Sequence, residues 1–466
     1  MPHPLSLSVS PCGHWFRDGN DKPFFLLGDT AWVLFGKLRE EEIERYFENR
    51  ATKGFNAIQA CVFRDLHDSN TPNAYGDRPF ASDADMKAVR LNPKWMDFVR
   101  RMVKRAEAHG LIVSLLPTWG DKWNRHSNSA GPVIMDARSG RDYCRYLSDA
   151  LSDCPNLVWV LGGDSPILEQ AHADTIRAMA EGLRAGASGN RPITFYPRGL
   201  ETSAIFHSEP WLDFNALQSS HYKPNVPGYL HVERFFRTSP AKPIVDMEPN
   251  YEAAGMFVMG ERNDRHCFSS KHLEWLPRFS AWDVRKAFWR TALAGAAGFT
   301  YGHEAIRQVH RKGDRVHAWD DETSEVWSDC LDAPGARQVA WAAAWLTTLD
   351  REALRPAQEL FLPLNSEGAW PDRLNVGIPF AGQRNDDPAV RVSVAKSEQG
   401  NWIVAHTPVR AIVTLDTSAI PGNQLEVVIV DPETCTETRR FRQENAGQVR
   451  IAPDRDLDSV ILVLAA

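Results

Sequence analysis

Eight short apolar runs recur between Pro23 and Glu304, and their spacing restricts the fold more than any other feature of the chain. They are Pro23–Asp29, Gly54–Phe63, Leu111–Gly120, Asn156–Asp164, Arg191–Gly199, Asp213–Tyr222, Lys242–Tyr251 and Ala296–Glu304. Short apolar runs rich in branched and aromatic residues and bounded by turn residues read as buried strands. The intervening stretches, such as EEEIERYFENRATKG, WMDFVRRMVKRAEAHG and DVRKAFWRTALAG, carry apolar residues at i, i+3 and i+4. They are helical in period, and Gly54, Gly110 and Gly295 stand where helix stops belong. Eight strand–helix units predict an α/β fold, a (β/α)8 barrel over residues 1–350. A doubly wound open sheet is the rival, but no GxGxxG turn follows the first strand.

Beyond Asp350 the helical period fades. RVSVAKS, NWIVAHTP, AIVTLD, LEVVIVDPET and SVILVLAA alternate or are β-branched, with turn residues between them. This predicts a small antiparallel β-sandwich over residues 351–466, with Ala336–Leu349 as the helix leading into it.

Charge and composition remove several classes of function. The net charge is −7 and no long basic run occurs, which argues against a nucleic-acid partner. No apolar stretch reaches the ~18 residues of a membrane span. The seven cysteines are odd in number and form no CxxC, so neither a disulfide framework nor a cysteine zinc site is expected. The first residues, MPHPLSLSVSPCGHW, lack a charged start followed by an apolar core. A cytoplasmic protein is expected, although a secreted chain with its leader trimmed would read alike. The 16 tryptophans are far above ordinary usage. Core packing accounts for most of them, and stacking on ring-shaped ligands such as sugars is the functional alternative.

In a (β/α)8 barrel the reacting groups come from the C-terminal ends of the strands. Those ends carry Asp29 and Trp32, then Gln59, Trp119 with Asp121, Asp164, Arg198, and Gln218 with His221 and Tyr222. Glu248 and Tyr251 follow on the seventh strand, and Tyr301, His303 and Glu304 on the eighth. Such a rim is polar and aromatic, suited to a hydrophilic ring. Asp164 on the fourth strand and Glu248 on the seventh would flank a ligand bound over the axis. Glycoside hydrolysis needs two such carboxyls, one to protonate the leaving oxygen and one to attack the anomeric carbon or activate water.

Side-chain alternation supports both. Val158, Val160, Gly162 and Asp164 share one face, while Trp159 and Leu161 share the other. Ile244, Asp246 and Glu248 share a face opposite to Val245 and Met247. The competing structural roles are a helix cap for Asp164, because Ser-Pro follows it, and an arginine ion pair with Arg64 or Arg290 for Glu248 or Asp246. Asp29 is either a sugar-hydroxyl acceptor or a cap of the next helix, with Trp32 beside it as a stacking platform. Trp119 or Trp123 is expected to stack on substrate. Gln59 and Gln218 bond either substrate or a neighbour. His207, His221 and His303 lie on separate segments without HxH or HExxH spacing, so neither a metal nor any other cofactor is expected. No GxSxG elbow marks a serine hydrolase.

DGNDKPFFLLGDTAWVLFGKL, YFENRATKGFNAIQACVF, LVWVLGGD and KPIVDMEPNYE, in this order and spacing, resemble the apiosidase-like glycoside hydrolases, glycoside hydrolase family 140. The resemblance covers roughly Leu7 to Asp350, and the tail resembles the collagen-binding-type β-sandwich often appended to that barrel. It implies a retaining enzyme with Asp164 as acid/base and Glu248 as nucleophile, whose carboxyls would lie about 5–5.5 Å apart. It also implies a carbohydrate substrate with an apiose-type pentose or related sugar at the cleaved position, and the missing export signal favours a short oligosaccharide or plant glycoside over large pectin. An inverting glycosidase or lyase on the same barrel, and a non-catalytic carbohydrate- or protein-binding module, are the alternatives. The first would separate the carboxyls by about 6.5–9.5 Å. The second would turn one of them out of the cleft.

Overall fold

The computed structural model describes residues 3–64, 70–126, 131–219, 223–256, 278–314, 325–362 and 387–466. Eight parallel strands form one sheet: β1 (Leu26–Thr30), β2 (Ala57–Cys61), β3 (Ile112–Leu116), β4 (Leu157–Gly162), β5 (Ile193–Tyr196), β6 (Asn215–Leu217), β7 (Ile244–Asp246) and β8 (Gly298–Tyr301). Their order is β5-β4-β3-β2-β1-β8-β7-β6, so the first strand pairs with the last and the sheet curls into a barrel. Among the described residues the remaining seam, between β5 and β6, has no regular ladder. It is bridged by Asp213 N to Ile193 O at 2.9 Å and by the Thr194 hydroxyl to Phe214 O at 2.7 Å.

The outer helices are α1 (Glu40–Lys53), α2 (Pro93–Ala108), α3 (Ala137–Ala150), α4 (Gln170–Ala185), α5 (Gly228–Phe236), α6 (Ala281–Leu293) and α7 (Pro334–Thr347). Local chemistry sets their ends. The Asn92 side chain accepts the Lys94 amide at the start of α2, and Pro93 fills the first helical position. Gly54, Gly110 and Gly295 take φ of +97°, +74° and +102° where their helices stop, as the sequence indicates. One unit departs from the strand–helix pattern. Among the described residues only a 3-10 turn, Ser203–Phe206, lies in the connection from Pro197 to Asp213 that follows β5.

Alternation places the core in two layers. Trp159 and Leu161 of β4 pack with Cys144, Leu147, Ile176 and Met179 of α3 and α4. Val158 and Val160 point the other way, among Ile112, Leu116, Ala57 and Tyr196 inside the barrel. A fully buried apolar side chain of this size stabilises by roughly 1.5–3 kcal/mol. A strand buried on both faces therefore needs a continuous apolar run rather than alternation.

The C-terminal strands are β9 (Leu354–Pro356), β10 (Ser393–Ser397), β11 (Trp402–Thr407), β12 (Val413–Asp416), β13 (Gln424–Asp431), β14 (Thr436–Glu444), β15 (Gln448–Ile451) and β16 (Ser459–Ala465). They form a six-stranded sheet, β9-β10-β11-β16-β13-β14, and a β12–β15 pair, all antiparallel. Ile403, Val427, Ile429, Ile461 and Val463 pack with Val413, Leu415 and Val449 of the pair. Their alternates Trp402, Val404, Val428, Val430 and Leu462 join Trp289 and Leu346 on the barrel helices. The large sheet is thus covered on both faces, and Arg285 of α6 closes the contact with a bidentate pair to Asp458 at 2.8 and 2.9 Å.

Candidate active site

The β4 end departs from regular backbone over three consecutive residues. Gly162, Gly163 and Asp164 have φ of +103°, +102° and +53°. A side chain on either glycine would collide with backbone: a Cβ on Gly162 would meet Tyr196 O at 2.3 Å, and one on Gly163 would meet Gly120 N at 2.6 Å. The glycines let the β3 and β4 loops interlock, with Gly120 N donating to Gly163 O at 3.0 Å and the Trp123 indole donating to Gly162 O at 2.9 Å. Asp164 then sits in the left-handed region, which short polar residues tolerate at some cost. It does not cap a helix, since α4 begins at Gln170 with Glu169 as its cap residue.

The Asp164 carboxylate turns toward the barrel mouth. Its Oδ1 accepts from Gly199 N at 3.1 Å and from Gln218 Nε2 at 3.3 Å. The same Nε2 lies 3.1 Å from Glu248 Oε2 and 3.3 Å from Pro197 O. One amide nitrogen therefore touches both carboxylates, and its two contacts bound the separation of those oxygens at 6.4 Å. An amide placed so offers its two hydrogens to adjacent carboxylate oxygens.

Glu248 is buried, and its segment is tied on two sides. Gln59 donates to Met247 O at 3.2 Å, so this β2 side chain braces the backbone beside Glu248. One layer down, Asp246 is fully buried and accepts the Ser219 hydroxyl at 2.7 Å, the Ser219 amide at 3.4 Å and the Glu248 amide. Burial pushes its carboxyl up to about 7, against the opposing effect of these bonds. Its partner is a serine rather than an arginine. Tyr251 is buried with its ring against Gly302, where a Cβ would come within 2.1 Å. Burial, then the Glu248 charge, holds the Tyr251 phenol well above its ordinary range.

Several expected ligand contacts are corrected. Asp29 is fully buried and faces α1, where Arg50 Nε pairs with it at 2.5 Å and the Tyr46 hydroxyl donates at 2.6 Å. It is neither open to a sugar nor a helix cap. Trp32 is 1% exposed, packed edge-on against Trp119 and Tyr196 at 4.9 and 5.3 Å between centroids, so it has no open stacking face. Trp119 is also buried, and the Arg64 guanidinium covers its ring at 4.0 Å. Trp123 is spent on the Gly162 carbonyl. Strand-end position was legible, but which way a tryptophan turns depends on its neighbours. His303 caps the short helix Glu304–Arg307, its Nδ1 accepting from Ala305 N at 3.2 Å. Burial, with Arg50 and Arg278 adding to it, lowers its imidazole to about 4. His221 and Tyr222 lie outside the described residues.

Three contributors escaped the sequence reading. Gly199 supplies a backbone donor to Asp164, and Glu201 lies near enough for the Asp164 charge to add to the burial that raises its own carboxyl. Arg50 left a signal: it occupies the i+7 position of the buried Ile43–Tyr46–Phe47 stripe, where a lone charge needs a partner. Among the described residues two groups bring three metal-ligating types together, His126–Glu169–His172 and His303–Glu325–Cys330. In the first, Arg125 already bridges Glu169 at 2.6 Å and His126 at 3.2 Å, taking the place of a cation. In the second, the Nδ1 lone pair of His303 is used by the cap. Among the described residues no helix is long and apolar enough to cross a membrane.

A family model described as the apiosidase-like catalytic domain matches residues 10–352. No curated protein matches the chain. A solved structure described as a glycoside hydrolase superposes with a TM-score of 0.81 at 23% identity, covering 100% of this chain and 99% of its own. A glycoside hydrolase family 5 protein from Bacteroides vulgatus ATCC 8482 gives the same TM-score and identity over 98% and 93% of the two chains. At such identity the likeness speaks for the fold of both the barrel and the C-terminal sheets.

Proposed function

Since this chain belongs to the apiosidase-like family and is a glycoside hydrolase, we propose that it cleaves its substrate with retention of configuration, using Asp164 as acid/base and Glu248 as nucleophile. The observation that carries the reading is the amide of Gln218, which bonds both carboxylates and limits the two oxygens to 6.4 Å. Double displacement favours carboxyls about 5–5.5 Å apart, whereas a water-activating pair needs about 6.5–9.5 Å. In the first step Asp164 gives its proton to the leaving glycosidic oxygen while Glu248 attacks the anomeric carbon. The bond to the leaving group breaks as the glycosyl–Glu248 ester forms. Asp164, now ionised, takes a proton from water, and the oxygen of that water displaces Glu248. The family match supports a pentose of the apiose type, or a related sugar, at the cleaved position.

The test is turnover and product configuration on a panel of aryl pentosides and hexosides. Asp164→Ala and Glu248→Ala should each lower kcat by several orders of magnitude with an unchanged circular dichroism spectrum. Azide should rescue the Glu248 variant as a glycosyl azide of inverted configuration, and the Asp164 variant as one of retained configuration. Near-full activity in either variant would sink that assignment, and a first-formed wild-type sugar of inverted configuration would sink the retaining mechanism.

A further inference from the structure

Behind the ends of β6 and β7 lies a small cavity of ≈10 Å³, counted as room for the centre of a water-sized sphere. Its wall includes Ser219, Tyr229, Asn250, Arg290 and Thr291. Among the described residues no carboxylate lines it. Arg290, on α6, is 4% exposed, and its Nε and Nη2 make no hydrogen bond among the described residues. No ion pair among the described residues involves it.

A buried guanidinium without a counter-charge is expensive and ordinarily acquires one. The charges of Asp283 and Asp387 reach Arg290, but the carboxylates of this region hydrogen-bond elsewhere, Asp387 to Ala389 N at 2.8 Å. Asp283 accepts from Ser280 at 2.8 and 3.0 Å and faces Lys286 at 3.4 Å. Glu233 pairs with Arg391 at 2.9 Å, and Asp458 with Arg285 at 2.8 Å. Arg391 itself lies over the Tyr229 ring at 4.1 Å, adding a second positive charge beside the cavity. Arg351, likewise buried without an acid, leaves Nε and Nη1 without a hydrogen bond but donates through Nη2 to Ala296 O at 2.7 Å and lies 3.9 Å over the Phe25 ring. Arg290 has neither arrangement and borders a cavity instead.

We propose that this cavity is a binding site for one small monovalent anion of the halide class, held as the counter-ion of Arg290. Its space for the centre of one water-sized sphere is enough for a single small occupant and suits a monoatomic ion. The site adjoins the β7 end, which carries Glu248, and the β6 end, which carries Gln218. Ser219 follows Gln218 and holds Asp246, and Asn250 lies two residues beyond Glu248.

The test reads binding and needs no substrate, so its outcome is separate from that of the proposed reaction. Thermal melts are recorded in sodium chloride, bromide and gluconate at equal ionic strength, together with anomalous scattering from crystals soaked in bromide. The expected result is a saturable rise in Tm with either halide over gluconate, and a bromide peak beside Arg290. Arg290→Met should abolish the halide increment, while Arg351→Met, an equally buried arginine, should retain it. A cavity holding only water, with no bromide peak and no halide-specific rise, overturns the proposal. So does an Arg290→Met protein that keeps the increment. If Arg290→Met does not fold, the bromide peak in the wild-type crystal decides.

Discussion

Gly163→Ala separates the conformational from the steric demands of the Asp164 loop. Gly163 has φ of +102°, where an L side chain costs ~1–2 kcal/mol. The added Cβ would stand 2.6 Å from Gly120 N and 3.0 Å from the Trp119 Cα. Both are backbone atoms and cannot swing aside. Restoring ordinary contact at about 3.5 Å means parting the β3 and β4 loops by roughly 1 Å. Overpacking of this kind adds ~1–3 kcal/mol, giving a total loss of about 2–5 kcal/mol. The displacement falls on the residue before Asp164, and a misplacement of ~1 Å can lower turnover about 10²-fold. The control is Gly422→Ala, whose φ is +89° but whose Cβ would meet nothing within 4 Å. It should lose only the conformational share, ~1–2 kcal/mol, and keep full turnover. Urea denaturation gives the stabilities, and kcat on the best aryl glycoside gives the activity. If Gly163→Ala matched Gly422→Ala in stability and retained wild-type kcat, the interlocked loops would not be what positions Asp164.

Arg50→Ala leaves Asp29 as a buried unpaired charge and should cost about 3–5 kcal/mol by denaturation, whereas Asp29→Leu/Arg50→Met together should recover most of it. Asp246 has a folded value near 7 against the ordinary 3.8, so the unfolded chain holds fewer protons between these values. Its contribution to stability is full below pH ~4 and is lost as pH rises through ~7. The stability of Asp246→Asn relative to wild type should therefore climb over that interval, and melts from pH 4 to 8 that run parallel would contradict it. Gln218→Leu removes the donor that touches both Asp164 and Glu248, and with it their mutual placement, so kcat should fall about 10²-fold with the fold retained. Wild-type turnover would mean that the amide does not hold the two carboxylates in place in the working enzyme.

Near-neighbour chemistry made much of this molecule legible in the sequence. The eight strands follow from apolar runs, the helix ends from Gly54, Gly110 and Gly295, and the facing of Trp159 and Val160 from alternation, because each is decided within a turn or a pleat. The placement of Asp164 and Glu248 at strand ends was legible for the same reason. Partner choice was not. Asp29 turned to Arg50 on α1, Trp119 went under Arg64, and Gln218 came to bridge two carboxylates from β4 and β7. These residues are separated by 21 to 55 positions or more along the chain in ways no local period encodes, and their side chains rotate to whichever charge, ring or void the closed barrel presents. The missing helix after β5 is likewise a matter of closure, since that seam is completed by Asp213 and Thr194 rather than by a ladder. Local sequence sufficed for the elements and for the two acids at their ends; which buried charge meets which partner emerged only when the barrel closed, because desolvation makes every such pairing depend on all the neighbours at once.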